Sequence, residues 1–366
     1  MKPKSNPILL TFLTLLTFLV SCSPAPLLLR SSSPAPLEIT DTTGHTAQLQ
    51  NLPQRIVIAG KAVIMVQDAV YLFPESGERI VALENRNQSA FAFLPVVDDS
   101  ISDIATLEAN AGPEQIAAYH PDLVLMKSYL ADQFAEPLQK LDISSLYLNL
   151  ETPQTFYQDI EVLGQVFGNP ARAQEILDFY QTRVQRVEES LASLEESQKP
   201  RVLLLEYSDQ GGEIAFNAPP ATWIQTTLVE MAGGTPIWTE ANLGQGWTIV
   251  TFEQIAAWNP DQIFIIDYAG QADQVVANLI ADPLWNNLVA VQGGQIHAFA
   301  FDFYSWDQPD TRWILGLQWL ATKIHPDLTQ NFDILAEVED FYSTLYRLDS
   351  STIEAQVKPL LVGDIP

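Results

Sequence analysis

The sequence predicts an α/β protein built from two similar lobes that are joined by a long helix. The first observation is a repeat, because residues 113–125 (PEQIAAYHPDLVL) and residues 252–264 (FEQIAAWNPDQIF) match in the same register. The second is an alternation of strand-like and helical segments around each copy. The third is an uninterrupted helical pattern between the copies. Two copies of one helix-to-strand element, each in a segment of normal domain size, predict two lobes.

The first 37 residues predict export and membrane attachment. Residues 1–21 carry two lysines and then an apolar segment, residues 8–20, that is shorter than the ~20 residues needed to span a bilayer. The segment ends Leu-Val-Ser-Cys and resembles the lipobox of bacterial lipoproteins, which predicts a lipidated Cys22. An ordinary signal peptide with an incidental cysteine is the alternative. Residues 22–37 are rich in Ser and Pro and predict a tether, so we expect the protein at the periplasmic or extracellular face of a membrane in the cell envelope.

The composition limits the classes of partner. The chain has 366 residues with 18 basic and 45 acidic side chains, giving a net charge of -27. This charge argues against binding nucleic acid and against direct adsorption to anionic lipid. Cys22 is the only cysteine, so no intramolecular disulfide can form.

The first lobe is predicted over residues 38–153. It should open with two strands around a turn at Thr43-Gly44, and then alternate between buried strands and helices. Strands are predicted at residues 56–59, 79–83, 122–126 and 145–150, and helices at residues 114–118 and 131–141. This alternation predicts a parallel sheet covered on both faces.

Residues 154–198 predict the connecting helices. An apolar stripe runs to Gly168, and Asn169-Pro170 restarts the helix. The apolar spacing then continues to Ser197, which would extend one helix over roughly 42 Å. A single helix between the lobes predicts a stiff hinge and little relative movement.

The second lobe is predicted over residues 199–328, and residues 329–366 are predicted to form a helical tail packed on the outside. Strands are expected at residues 201–207, 263–267 and 295–301. Helices are expected at residues 223–232, 252–258, near 274–280, at 309–325 and near 334–346.

The opening of the first lobe carries a family resemblance. The arrangement Asp41, Gly44, Pro53 and Arg55-Ile56-Val57 resembles the start of the iron-complex and cobalamin binding proteins of ABC importers. The likeness extends over most of residues 38–328, with the binding domain at about 54–328. It implies a fold like that of class III periplasmic binding proteins, in which two Rossmann-like lobes are joined by a long rigid helix.

The resemblance also implies a role for the repeated glutamates. In this family one surface glutamate of each lobe pairs with arginines of the membrane permease, and the motif places that role on Glu114 and Glu253. The alternative is structural, because a carboxylate is favourable at the N-terminus of a helix.

A ligand is expected outside the carboxyl ends of the strands, where open α/β sheets bind their ligands. Aromatic and basic residues follow the predicted strands and suit a bulky ligand with anionic oxygens. The candidates are Lys61, Arg86, Lys127 and Tyr129 in the first lobe, and Asn217, Trp223, Trp247, Tyr268, Tyr304, Trp306 and Arg312 in the second. The alternatives are core packing for the aromatics and solvated surface for Lys61, Arg86 and Lys127. Arg312 has a further alternative, an ion pair with Asp307 or Asp310.

Motifs for catalysis and for direct metal binding are not found in the sequence. There is no nucleophile elbow, phosphate-binding loop or dinucleotide-binding fingerprint. The four histidines are dispersed, whereas a bare transition metal needs clustered ligands. We therefore expect no catalytic residue, no protein metal site and no cofactor, with iron present only inside a bound chelate.

The prediction is a monomeric, lipid-anchored solute-binding protein of an ABC importer. It would capture an iron complex, a ferric siderophore, in the cleft between the lobes and deliver it to a permease with ATPase subunits. Haem, cobalamin or an oxyanion such as molybdate remain open as ligands. The alternatives of other classes are an anchored α/β hydrolase and a structural surface adhesin.

Overall fold

The computed structural model describes residues 36–85, 92–241 and 244–365, together with Met1. Pro36–Pro366 forms one compact unit. The signal peptide, Cys22, nearly all of the tether and Arg86 lie outside the described residues, so the calls made on them stay predictions. No helix in the described part of the chain is long and apolar enough to cross a membrane.

The first lobe contains a small hairpin and a parallel five-stranded sheet. Strands β1 (Leu37–Thr40) and β2 (Thr46–Leu49) pair antiparallel around the predicted turn. The sheet has the order β5-β4-β3-β6-β7, and all four pairings are parallel. Its strands are β3 (Ile56–Ile58), β4 (Ile80–Glu84), β5 (Ala105–Leu107), β6 (Leu123–Lys127) and β7 (Ser144–Leu148). The helices are α1 (Val63–Val70), α2 (Ser76–Arg79), α3 (Leu94–Val97), α4 (Pro113–Ala117), α5 (Ala131–Lys140) and α6 (Pro153–Phe167).

Helix α7 (Pro170–Leu191) joins the two lobes. It begins as predicted, with the Asn169 side chain accepting a hydrogen bond from Arg172 N. It ends earlier than predicted, at Leu191 instead of near Ser197. The chain turns there, with Leu194 N donating to Leu191 O (2.9 Å), so that it can enter the first strand of the second lobe. At 22 residues the helix spans roughly 33 Å.

The second lobe has a mixed sheet, unlike the parallel sheet of the first lobe. The order is β11-β9-β8-β12-β13, with β10 on β8, and the pairings of β9 are antiparallel. Its strands are β8 (Arg201–Gln210), β9 (Glu213–Ala218), β10 (Thr235–Pro236), β11 (Thr248–Val250), β12 (Gln262–Ile266) and β13 (Ile296–Ala298). The helices are α8 (Ile224–Met231), α9 (Phe252–Trp258), α10 (Ala272–Ala281), α11 (Val289–Gln292) and α12 (Trp313–Ile324). The antiparallel pairing arises because β8 returns directly through a hairpin at Gly211-Gly212, where both glycines have positive φ.

The C-terminal tail does not pack on the outside, which corrects the sequence prediction. Helices α13 (Ile334–Asp340) and α14 (Ser350–Thr352) frame a segment whose aromatic side chains are almost fully buried. Tyr346 Oη donates to Asp68 O on α1 (3.0 Å), and Phe93 of the first lobe packs edge-on against the same ring. The last residues return to the second lobe, where Val362 pairs with Phe301. The tail therefore fastens both lobes together.

One apolar cluster of buried side chains runs through α7, the tail and both lobes. A second cluster, which includes Val57, Val124 and Tyr147, covers the other face of the first sheet. The two-lobe α/β architecture is thereby confirmed, and the two lobes share one buried apolar core. The stiffness of the connection stays a prediction.

Candidate ligand-binding cleft

A cavity of about 750 Å³ lies at the carboxyl ends of the strands and takes its walls from both lobes. Its volume falls in the range typical of small-molecule sites. The first lobe contributes Ala62, Met65, Ser128, Tyr129 and Glu151. The second contributes Thr222, Trp223, Gln225, Gln245, Trp247, Tyr268, Gln308 and Pro309.

Several residues of the cavity wall lie next to the end of a strand or helix, which fixes their position. Ser128 and Tyr129 directly follow β6, and Tyr268 comes two residues after β12. Trp223 is the N-cap of α8, and Trp247 immediately precedes β11. Because the carboxyl ends of parallel strands meet at one edge of a sheet, residues far apart in sequence share this cavity.

Three aromatic side chains form a continuous wall in the second lobe. The Trp223 and Trp247 rings meet at 89° with centroids 5.6 Å apart. The Trp247 and Tyr268 rings meet at 67° and 6.3 Å. All three side chains are half-buried, so they keep area for stacking on a ligand.

A buried carboxylate fixes this wall from behind. Asp307, which has 0% exposure, accepts hydrogen bonds at Oδ2 from Tyr268 Oη (2.8 Å) and Gln225 Nε2 (2.9 Å). Burial raises the pKa of Asp307, and the hydrogen bonds oppose that shift. The contacts hold two cavity-lining side chains in fixed rotamers.

Lys127, which was predicted to bind the ligand, instead forms an ion pair with a neighbouring side chain. Its ammonium group is 1% exposed and lies 2.7 Å from Glu151 Oε1, and it also donates to Asn149 O. Burial lowers the pKa of Lys127, and Glu151 opposes that shift. Glu151 is the member of the pair that reaches the cavity.

Trp306 and Arg312 do not reach the cavity, which corrects the sequence prediction for both. Each has 0% exposure. Trp306 Nε1 donates to Asp302 Oδ2 (3.0 Å), and Gly316 of α12 lies so close that an added Cβ would stand 2.3 Å from Trp306 O. The indole N–H therefore has its hydrogen-bond partner inside the protein, and the Trp306 side chain is part of the core.

Arg312 is the centre of a buried ion cluster that spans the lobes. It contacts Asp302 Oδ1 through Nε (2.8 Å), and its Nη1 contacts Asp68 Oδ2 (2.5 Å) and Asp310 Oδ2 (3.5 Å). Its guanidinium carbon lies 4.3 Å from the Phe93 ring centroid. The sequence offered Asp307 or Asp310 as an ion-pair partner for Arg312, and the structure shows the pair with Asp310. This turn also makes α12 begin at Trp313, later than predicted.

The cluster predicts a pH effect on stability. Burial raises the pKa of Asp310 to about 8, with Asp68 and Asp302 adding to the shift and Arg312 opposing it. The unfolded carboxyl has a pKa of about 3.9. Between these values the folded state binds more protons, so this group lowers the free energy of unfolding as the pH rises from about 4 to about 8.

We therefore expect the free energy of unfolding of Asp310→Asn, relative to that of the native chain, to increase by at least about 1 kcal/mol as the pH rises from 5 to 8. Urea unfolding at several pH values measures this difference. A difference that stays constant across the window would contradict the raised pKa.

Three further candidates among the described residues do not line the cavity. Lys61 is exposed beside Ala62, Asn217 is 9% exposed and donates to Glu206 Oε2 (2.6 Å), and Tyr304 is 6% exposed. The Tyr304 ring centroid lies 5.0 Å from the Arg312 guanidinium carbon. Ligand contact by these residues, and by Arg86 outside the described residues, stays a prediction.

The two copies of the repeat adopt the same local structure. In each, the glutamine three residues after the N-cap accepts a hydrogen bond from the N-cap backbone: Gln115 from Gly112 N (2.8 Å) and Gln254 from Thr251 N (2.9 Å). Glu114 and Glu253 occupy the second position of α4 and α9, and both are exposed.

The aspartate of each Pro-Asp pair explains why that part of the repeat recurs. Asp122 accepts from Arg55 N (3.0 Å) just before β3, and Asp261 accepts from Arg201 N (2.8 Å) at the start of β8. Each aspartate thereby aligns the strand of the repeat with the first strand of its sheet. Among the residues that the structure describes, the two glutamates make no strand-aligning contact of this kind, and both are exposed.

Sequence reasoning missed Glu151 and three glutamines of the cavity wall. Glu151 comes three residues after β7, so the strand-end rule that found Tyr129 also applies to it. Gln225, Gln245 and Gln308 lie in a helix and two loops that carry no local signal for this cavity. Within the described ranges, no three His, Cys, Asp or Glu side chains are placed to hold a metal ion.

Comparisons with known proteins agree with this geometry. A family model described as periplasmic binding protein matches residues 95–301. The molybdate-binding protein MolA of Haemophilus influenzae is 21% identical over 255 residues, which cover 64% of this chain and 69% of MolA. A periplasmic solute binding protein from Veillonella parvula superposes with a TM-score of 0.71 at 22% identity, covering 87% of this chain and 96% of its own. Helicobacter pylori CeuE in a Ni-His complex gives 0.67 at 17%, covering 88% and 99%.

Proposed function

Because the chain belongs to the periplasmic binding protein family, we propose that it captures a ferric siderophore in the cleft and delivers it to the permease of an ABC importer. The observation that carries this proposal is the cavity of about 750 Å³ with an aromatic wall, which suits a bulky chelate. The iron would enter only as part of the ligand.

The family supports a binding role over the hydrolase and the adhesin. Its members are binding proteins, and the structural neighbours described above are also binding proteins. The cavity is lined by amides, hydroxyls, aromatic rings and one carboxylate, which are groups suited to hold a ligand. The predicted periplasmic location agrees with the family.

Trp247 gives the direct test of the cleft, because it contacts both Trp223 and Tyr268. Trp247→Ala is expected to weaken binding of a ferric siderophore at least about fivefold, since loss of one stacked aromatic costs about 1 kcal/mol or more. Calorimetric titration of the full chain with ferric hydroxamates and ferric catecholates measures the affinity.

Trp238→Phe is a matched control, because Trp238 is fully buried and donates to Pro219 O instead of lining the cavity. Its affinity should equal that of the native chain. Equal affinity in Trp247→Ala would remove the cleft assignment, and failure of every ferric complex to bind would remove the ligand class.

Molybdate is the second candidate ligand, and the likeness to MolA favours it. The size of the cavity favours a larger ligand, because a single tetrahedral oxyanion fills little of 750 Å³. Adding molybdate to the same titration separates the two. Saturable binding of molybdate without binding of any ferric chelate would replace the siderophore.

The lipid anchor is a separate part of the proposal and rests on the sequence before Ser23. Cys22→Ala should abolish incorporation of labelled fatty acid and release the protein from the membrane fraction, because no other cysteine can carry the lipid. Continued labelling in this variant would exclude Cys22 as the anchor.

A further inference from the structure

We infer that the cleft selects a cationic or neutral metal complex over an anionic one, because its described walls combine aromatic rings with the carboxylate of Glu151 and contain no lysine or arginine. This inference rests on the proposed function and specifies the charge class of its ligand. It reverses the expectation from sequence that basic residues at strand ends bind anionic oxygens.

The first step concerns the wall in the first lobe. The basic candidates of this lobe among the described residues are Lys61 and Lys127, and neither lines the cavity. The charge of Lys127 is paired with Glu151 at 2.7 Å. The lysine side chain has 0% exposure, whereas Glu151 keeps 33%. A ligand in the cavity therefore meets the carboxylate of the pair first.

The second step concerns the wall in the second lobe. Three carboxylates lie around Tyr268 of the aromatic wall. Asp307 accepts from Tyr268 Oη (2.8 Å), Asp267 precedes Tyr268 in the chain, and Glu206 pairs with Ile266 at the end of β12. Among the residues that the structure describes, none of these three carboxylates forms an ion pair with a basic side chain. Burial raises the pKa of Glu206, the hydrogen bond from Asn217 opposes that shift, and the charges of Asp307 and Asp267 add to it. Their combined field disfavours an anion in the cavity.

The third step concerns the rings themselves. An aromatic face carries the negative part of the ring quadrupole, so it attracts a cation placed over it and repels an anion. Trp223, Trp247 and Tyr268 form three such surfaces in contact with one another. The rings and the carboxylates therefore favour the same sign of ligand charge.

The last step concerns the rest of the wall. The wall also has amides and hydroxyls, which can donate hydrogen bonds to uncharged carbonyl oxygens of a ligand as well as to charged ones. They belong to Gln225, Gln245, Gln308, Ser128 and Thr222. Such a wall needs no formal charge on the ligand. A ferric trihydroxamate with a free ammonium group suits both the uncharged polar side chains of the wall and the aromatic rings with their neighbouring carboxylates.

The experiment compares three ferric complexes by calorimetry on the full chain in detergent. Ferrioxamine B carries a free ammonium group, its N-acetylated form has the same iron centre without that charge, and a ferric tris-catecholate is an anion. We expect the cationic complex to bind about tenfold tighter than its acetylated form, and at least about 100-fold tighter than the catecholate.

The outcomes separate this inference from the proposed function. Tightest binding by the catecholate would overturn the inference and leave a siderophore receptor in place. Absence of binding by all three complexes would overturn the ferric siderophore assignment together with its charge class.

Glu151→Gln tests the source of the selectivity. It should reduce the preference for the ammonium form over the acetylated form at least about threefold, because the neutral amide keeps the shape and loses the charge. Glu136→Gln is the matched control, since Glu136 lies on α5 of the same lobe, is exposed and does not line the cavity. An unchanged preference in Glu151→Gln, or an equal loss in Glu136→Gln, would refute the assignment to Glu151.

Discussion

Arg312→Met is expected to lower the free energy of unfolding by about 3–5 kcal/mol, because it leaves buried carboxylates without their cation. Asp68, Asp302 and Asp310 all have at most 1% exposure and all contact this guanidinium. Asp68 lies on α1 of the first lobe, whereas the other two lie in the second. The variant therefore removes a tie between lobes as well as a charge balance.

Chemical denaturation measures this effect, and Lys140→Met provides the control. Lys140 pairs with Glu136 on the surface of α5 at 2.6 Å, with 70% of its side chain exposed. Loss of such an exposed pair should cost about 1 kcal/mol or less. A similar small loss in Arg312→Met would show that the buried cluster adjusts by taking up protons.

Glu114→Ala combined with Glu253→Ala is expected to abolish transport and to leave ligand affinity unchanged. Both glutamates are exposed on equivalent short helices, and neither lines the cavity. Their structural alternative, a favourable charge at a helix N-terminus, predicts only a small loss of stability and no loss of transport. Uptake of labelled iron complex by cells, measured beside calorimetry on the purified variant, separates the two roles.

Glu136→Ala combined with Glu230→Ala is the matched control for transport. It removes one exposed glutamate from each lobe outside the repeated helices. Transport should persist in this control. Full transport in the first double variant would reject the permease role, and lost ligand binding there would show that the glutamates support the cleft.

Several features of the fold could be predicted because they depend on neighbours in the chain. The repeat located α4, α9 and the strands that follow them, and the turn chemistry of Asn169-Pro170 located the start of α7. The rule that ligands lie at strand carboxyl ends led to Tyr129, Trp223, Trp247 and Tyr268, all of which line one cavity.

Other residues could not be assigned from local sequence. Trp306 and Lys127 lie at strand ends or in polar turns, as ligand contacts do, yet each is buried against a partner. Trp306 binds Asp302, and Lys127 binds Glu151. A partner that satisfies a polar group internally is visible only when the chain is folded.

The sequence by itself determined the two-lobe α/β plan, because helical and strand periodicities, capping residues and the repeat act over a few neighbouring positions. The tertiary structure alone decided which charged residues reach the cavity. Arg312 contacts Asp68 across 244 residues of chain, and the tail that was expected outside contributes Tyr346 to the contact between lobes. Burial makes an unpaired charge costly, so the partners brought together by packing decided that Arg312 and Lys127 are buried in ion pairs and that Glu151 lines the cavity.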